Sequence, residues 1–151
     1  ELLFLEGYMG FQKDQQVNTG LGFGARKGHK VLLAPMEDYH NRVFPSDIAS
    51  CKDIACPIIN TEVLKRFGLV CDDSTQSFEE ITVFPREYFD PKDSETYALK
   101  TTKNTYSIHH YCATWTSAVT KRTTRIKRII GVKMYDKLYG KFLHKCKWLE
   151  W

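Results

Sequence analysis

The sequence predicts an α/β sandwich. Short segments rich in β-formers alternate with segments of helical apolar spacing through most of the 151 residues. A 42% hydrophobic and 26% charged composition is that of an ordinary globular chain, so disordered, collagen-like and low-complexity classes are excluded. A long C-terminal stretch carries one apolar and one lysine stripe, as a helix resting on a domain would.

Taken in order, residues 7–11 and 17–25 read as two extended segments around a polar turn at 12–16. Leu32, Met36, Tyr39 and Val43 recur at helical spacing and predict a helix over residues 28–44. Within it, Pro35 predicts either a kink or a later start near Ala34. After a mixed-charge loop, Pro57 stands where a first helical residue belongs, Ile59, Val63, Leu64 and Phe67 follow at helical spacing, and Gly68 supplies the stop. Residues 81–84 read as a strand ended by Pro85, and residues 105–111 as another. From Thr120 to Lys147 one long helix is expected, with Ile126, Ile130, Met134, Leu138 and Phe142 on one stripe and Lys133, Lys137, Lys141 and Lys145 on another. Gly131 and Gly140 each cost such a helix about 1 kcal/mol against alanine, so it bends or depends on docking. No internal repeat is present.

Charge is unevenly placed. From Thr120 onward there are ten Lys or Arg against Asp136 and Glu150, which leaves 12 basic and 16 acidic residues before it. The basic character therefore belongs to the tail, while the body is acidic and disfavours a long nucleic-acid track. No apolar run approaches the ~20 residues of a spanning helix, and Glu1-Leu2-Leu3-Phe4-Leu5-Glu6 has neither a basic n-region nor a cleavage site. That start, without a methionine and inside an apolar segment, reads as a piece of something longer. Five scattered cysteines, Cys51, Cys56, Cys71, Cys112 and Cys146, read as buried free thiols of a reducing compartment. Cys51-x4-Cys56 lacks the partner pair that a structural zinc site needs.

Two segments offer chemistry. In residues 17–25, Gly20, Gly22 and Gly24 at every second position would strip one face of a strand, allowing either a sugar or nucleotide held by Asn18, or a closely packed helix. The spacing is not that of a dinucleotide fingerprint or a phosphate loop. In residues 109–115, strand alternation would send only one of His109 and His110 into a site, where an imidazole can ligate a divalent metal. Trp115 can stack on a sugar or a base. Asp72, Asp73, Glu79 and Glu80 lie in a polar run that reads as a solvated loop.

Three ordered blocks, residues 16–25 (Gln16 to Ala25), 56–64 (Cys56 to Leu64) and 106–115 (Tyr106 to Trp115), resemble those of glycosyltransferase family 32, over about residues 8–115. These are the sugar transferases with an acid-x-acid motif found in capsular and cell-surface polysaccharide synthesis and among yeast-type mannosyltransferases. The resemblance implies residues 1–119 as the C-terminal half of a GT-A-type catalytic domain, a mixed sheet with flanking helices, followed by a basic helical tail at 120–151. It implies a retaining enzyme that takes a nucleotide-diphosphate sugar, uses Mn2+ or Mg2+, and delivers to a glycan or lipid-linked glycan acceptor. By position, His110 matches the metal-binding histidine. Asn18, Thr19 and Gly20 match the segment lining the sugar site, with Asn60, Thr61 and Trp115 completing the substrate-binding set. No Asp-x-Asp occurs in these residues, so the principal donor grip is expected upstream and the fragment alone is expected to be inactive.

The alternative is a non-catalytic carbohydrate- or membrane-binding module. For the tail, a helix packed on its own domain competes with a peripheral membrane helix that places Phe142, Trp148 and Trp151 at the interface and lysines toward anionic lipid. A lipid-linked acceptor would keep such an enzyme cytoplasmic, at the inner face of a membrane.

Overall fold

A computed structural model describes residues 2–46, 53–111 and 118–140. The chain divides into two units, Glu1–Pro91 with Lys100–His109, and Lys92–Leu99 with His110–Trp151. The first is mixed α/β. Its four-stranded sheet has the order β2-β1-β4-β3, with β1 at Gly7–Gly10, β2 at Gly24–Ala25, β3 at Gln76–Phe78 and β4 at Ile81–Phe84. Two helices, α1 at Lys30–His40 and α2 at Cys56–Lys65, lie between β2 and β3 in the chain. The central pair β1 and β4 is parallel, with Gly7 opposite Ile81 and Gly10 opposite Phe84, and both outer pairs are antiparallel. A parallel pair needs a long crossover, and α1 and α2 lie within it.

Alternation along β4 turns Ile81 and Val83 inward, where they meet Met9 of β1, Val31 of α1, Leu64 of α2, and Phe11, Val17 and Leu69. Full burial of each such side chain contributes about 1.5–3 kcal/mol. The opposite face carries a second, aromatic layer: Tyr8 stacks on Phe89 at 5.9 Å and Phe84 on Tyr88 at 4.6 Å, and Tyr106 stacks on both Tyr88 and Phe89. A Cβ on Gly10 would overlap the Phe89 ring, so glycine lets this layer close on β1.

The best-punctuated element forms as the sequence predicts. Pro57 lies in the first turn of α2, Ile59, Val63 and Leu64 are fully buried, and Gly68 leaves the helix at φ +103°. Of the two outcomes expected at Pro35, the later start near Ala34 is corrected. Helix α1 runs through Pro35, because His29 caps the start by accepting the Val31 N–H on Nδ1, and the buried proline ring occupies the face turned inward. The polar run before β4 is more ordered than a loop, since β3 pairs with β4 and Glu79 and Glu80 make the connection with positive φ.

Two predicted strands are not there. Residues 17–25 form an isolated bridge at Val17, a 3-10 turn at Thr19–Leu21 and only then β2. The three glycines consequently serve three purposes. Gly20 accommodates the Asn18 side chain, Gly22 takes φ +132°, and Gly24 leaves room for the Tyr8 ring. Residues 105–111 are irregular: the Tyr106 and Ser107 N–H groups both donate to the Tyr88 carbonyl, and the Thr105 hydroxyl donates to the Glu87 carbonyl. These bonds hold the segment to a turn rather than to a neighbouring strand. Cys56 and Cys71 are free but half-buried rather than buried, and Cys51, Cys112 and Cys146 lie outside the described residues.

In the second unit, Lys92 bridges Leu99, and the Asp93 carboxylate caps the intervening turn by accepting from the Glu95 and Thr96 N–H groups. Arg128 of α3 (Ala118–Ile130) lies 3.3 Å over the Tyr97 ring of that turn. Over residues 120–140 the single long helix is corrected as well, and the part expected over 141–147, with Lys141, Phe142 and Lys145, lies outside the described residues. Gly131, at φ +82°, ends α3, and a short α4 (Val132–Tyr135) continues into a π-type turn at Asp136–Gly140. Lys127 then reaches both the Tyr135 ring and Asp136. Among the described residues no helix is long and apolar enough to cross a membrane.

One surface tie is pH-dependent. Asp38 of α1 accepts from Arg42 at 2.5 Å and from Arg66, at the end of α2, at 3.1 Å. The Arg42 hydrogen bond, aided by Arg66, holds the Asp38 carboxyl below its ordinary 3.8. A depressed folded pKa means that the stabilisation is present above the unfolded value and is lost as pH falls through the folded one. The melting-temperature gap between the native protein and Asp38→Asn is therefore expected to be widest near neutrality and to close on acidification below that value. A gap that stays constant with pH would show that the pair adds nothing.

Candidate functional site

Two of the three sequence blocks meet where the 3-10 turn abuts the start of α2. Asn18 caps the turn, accepting the Gly20 N–H on Oδ1 at 2.7 Å, while its Nδ2 donates to Gln12 Oε1 at 2.8 Å. Gln12 donates in turn to Gln16, which closes the polar loop before Val17. Cys56 and Asn60 stand four residues apart on α2, a spacing that puts both on one helix face. From there the Asn60 amide donates to Thr19 Oγ1 and to Cys56 Sγ, each at 3.1 Å. Thr19 Oγ1 and Cys56 Sγ share a hydrogen at 3.0 Å, and the thiol also lies 3.7 Å from Asn18 Oδ1. One consistent set of protons runs from Asn60 to Thr19, from Thr19 to the sulfur, and from the sulfur to Asn18.

Thr61 does a different task. Its hydroxyl donates to the Pro57 carbonyl at 2.6 Å and accepts the Val17 N–H at 2.9 Å, pinning the segment before the turn to the first turn of α2. Asn60 and Thr61 are both buried, at 4% and 6% exposure, so the join is interior rather than a surface contact. The third block adds Ser107, whose hydroxyl donates to the Leu21 carbonyl at 3.4 Å, at the far end of the same turn.

Thr19, Cys56 and Asn60 form the polar end of a half-open recess of about 210 Å³. Its walls are apolar: Phe23, Leu32, Pro35, Met36 and the Tyr39 ring. The Tyr39 hydroxyl donates to the Ile54 carbonyl at 2.9 Å, and burial, reinforced by the neighbouring thiol, pushes its pKa up, so the ring remains a neutral wall. Drug-sized ligands fill pockets of about 300–1,000 Å³, so this volume suits a single small ring and not a whole nucleotide sugar. Among the described residues no carboxylate lines the recess.

His110 is exposed and His109 half-buried, and the strand alternation expected to separate them does not apply because the segment is irregular. Lys92 Nζ approaches the His110 carbonyl at 3.4 Å. Among the described residues no three His, Cys, Asp or Glu side chains group as metal ligands. The donor set is thus one imidazole with an ammonium group beside its backbone, which does not fit a complete Mn2+ or Mg2+ centre. Trp115 lies outside the described residues.

Three contributors escape sequence reasoning. Cys56 reads from the sequence as a thiol and as the first residue of a family-like block, with no site role, although its four-residue spacing from Asn60 on a well-marked helix is the available signal. Tyr39 belongs to an apolar stripe that reads as core, and Phe23 stands between two of the glycines. No protein-family model, no curated protein and no solved structure matches this chain.

Proposed function

We propose that this chain is the C-terminal part of a retaining GT-A-type glycosyltransferase that moves a sugar from a nucleotide-diphosphate donor to a glycan or lipid-linked glycan acceptor. The observation that supports this reading is the convergence of residues from all three family-like blocks on one turn: Asn18 and Thr19, Asn60 and Thr61, and Ser107. In the transfer, the bond between the anomeric carbon and the diphosphate oxygen breaks. A bond to the acceptor hydroxyl oxygen forms with the same configuration, and the hydroxyl proton leaves with the released diphosphate. In this reading the recess holds one sugar ring, with its apolar face on Phe23 or Tyr39 and its hydroxyls toward Thr19 and Asn60. Thr61 and Gly20 fix the turn that presents them. His110, in the second unit, is the metal ligand that the family resemblance alone suggests.

A second reading, a carbohydrate-binding module without turnover, is favoured by the lack of any carboxylate around the recess among the described residues. One assay separates the two. A longer protein containing these residues is incubated with nucleotide-diphosphate sugars, manganese and glycan acceptors, while free sugar binding to the present chain is followed by saturation-transfer NMR. Transfer or donor hydrolysis is expected from the longer protein. Sugar binding without either would leave the module, and no sugar binding at all would remove both readings.

A further inference from the structure

We propose that α3 and the α4 segment form a docking surface for an anionic lipid bilayer. The inference stands apart from the sugar reading, because it rests on the second unit alone. Helix α3 carries five basic residues, Lys121, Arg122, Arg125, Lys127 and Arg128, and no acidic one. Within the unit some of these cations are already engaged: Arg128 lies on Tyr97, and Lys127 on Tyr135 and Asp136. Arg122, Arg125, Lys133 and Lys137, by contrast, stand exposed.

Apolar side chains are exposed beside them. A helix packed on its own domain along its whole apolar stripe would bury that stripe, yet only Ile126 and Ile130 are half-buried while Met134 is 55% and Leu138 58% exposed, and Ile129, off the stripe, is 77% exposed. Beyond the break at Gly131, Tyr135 is the buried residue and Met134 and Leu138 are exposed. Each helical segment carries one such pair: Arg125 stands one turn from Ile129, and Lys137 one turn from Met134, all four exposed. Apolar side chains that enter the headgroup layer, flanked by cations that meet its negative charge, are what an interfacial helix needs. Nucleic acid would use the cations but not the exposed Ile129, Met134 and Leu138.

Sedimentation of the full chain with phosphatidylcholine vesicles, with and without phosphatidylglycerol, tests the surface. Binding is expected only with the anionic lipid and is expected to weaken as salt is raised. Arg125→Gln and Lys137→Gln should each lower partitioning about fivefold. Ile129→Ser with Leu138→Ser should lower it further at unchanged charge, and melting temperatures should match throughout because all four positions are exposed. Equal binding to neutral and anionic vesicles, or no response to these variants, would overturn the proposal. So would preferential binding of single- or double-stranded nucleic acid in competition with the vesicles.

Discussion

Replacing Asp90 by alanine is expected to destabilise the first unit by about 3–5 kcal/mol, the scale for removing one partner of a buried ion pair. Asp90 is 0% exposed. Its carboxylate accepts from Arg86 Nε at 3.2 Å and from the Lys13 N–H at 3.3 Å, while its carbonyl accepts a second bond from the same Arg86 Nε at 2.9 Å. Alanine would remove the carboxylate from a guanidinium whose side chain is only 25% exposed and from the Lys13 N–H, leaving Arg86 its bond to the residue-90 carbonyl. An asparagine side chain would keep one acceptor, so Asp90→Asn should cost less, about 1–3 kcal/mol. Urea denaturation followed by near-UV circular dichroism reads the difference. If Asp90→Ala costs under about 1 kcal/mol, solvent reaches the pair and the anchor is not a buried one. The effect should also reach the recess, since Lys13 adjoins Gln12, and Gln12 holds the Asn18 amide.

The second large effect concerns Asn60. Asn60→Leu keeps the branched outline, with somewhat bulkier methyl groups, but deletes the donor to Thr19 and Cys56, freeing the turn from α2 on that side. The fold should lose about 1–3 kcal/mol, as for other buried hydrogen-bonded groups. Because a displacement of about 1 Å in a positioning element can cost 10²-fold, sugar transfer, if the proposed function holds, should fall by about that factor. Val83→Ala, a core change in β4, serves as the control of comparable instability. If both variants lose activity in proportion to stability alone, Asn60 is structural. If Asn60→Leu loses it selectively, and with it the NMR contact to sugar, the recess is the binding site.

How far the sequence can be read depends on whether the deciding interaction is local. Helix α2 is legible because Pro57 and Gly68 mark its ends and Ile59, Val63 and Leu64 mark its buried face, all within one short window. The glycine run is not, since spacing shows that side chains are missing but not what fills the room: a capping amide, a positive φ and an aromatic ring, respectively. Residues 105–111 have the composition of a strand, yet their N–H groups are claimed by the Tyr88 carbonyl, a partner that composition does not reveal. Strand β3, Gln-Ser-Phe, has too few apolar residues to show a period. At the candidate site, Asn18, Thr19, Asn60 and Thr61 are reached through family resemblance, and the structure joins them directly. Cys56 and Tyr39 need the packing of α1 against α2 before their place can be seen.

The parallel pairing of β1 with β4 sets a constraint on how the chain reaches this form. Gly7 must find Ile81, and Met9 must find Val83, across the whole crossover. Such distant pairings carry a large loop-closure cost before any contact rewards it, which slows folding. At synthesis rates of about 5–20 residues per second, β1 waits roughly 4–15 s for β4 to be made. During that interval Met9 and Phe11 have no β4 to cover them, and the turn at Thr19 can already meet α2. The polar half of the recess is therefore expected to assemble on the ribosome before the sheet that supports it, and a chaperone that covers an exposed strand would act on β1 in that window.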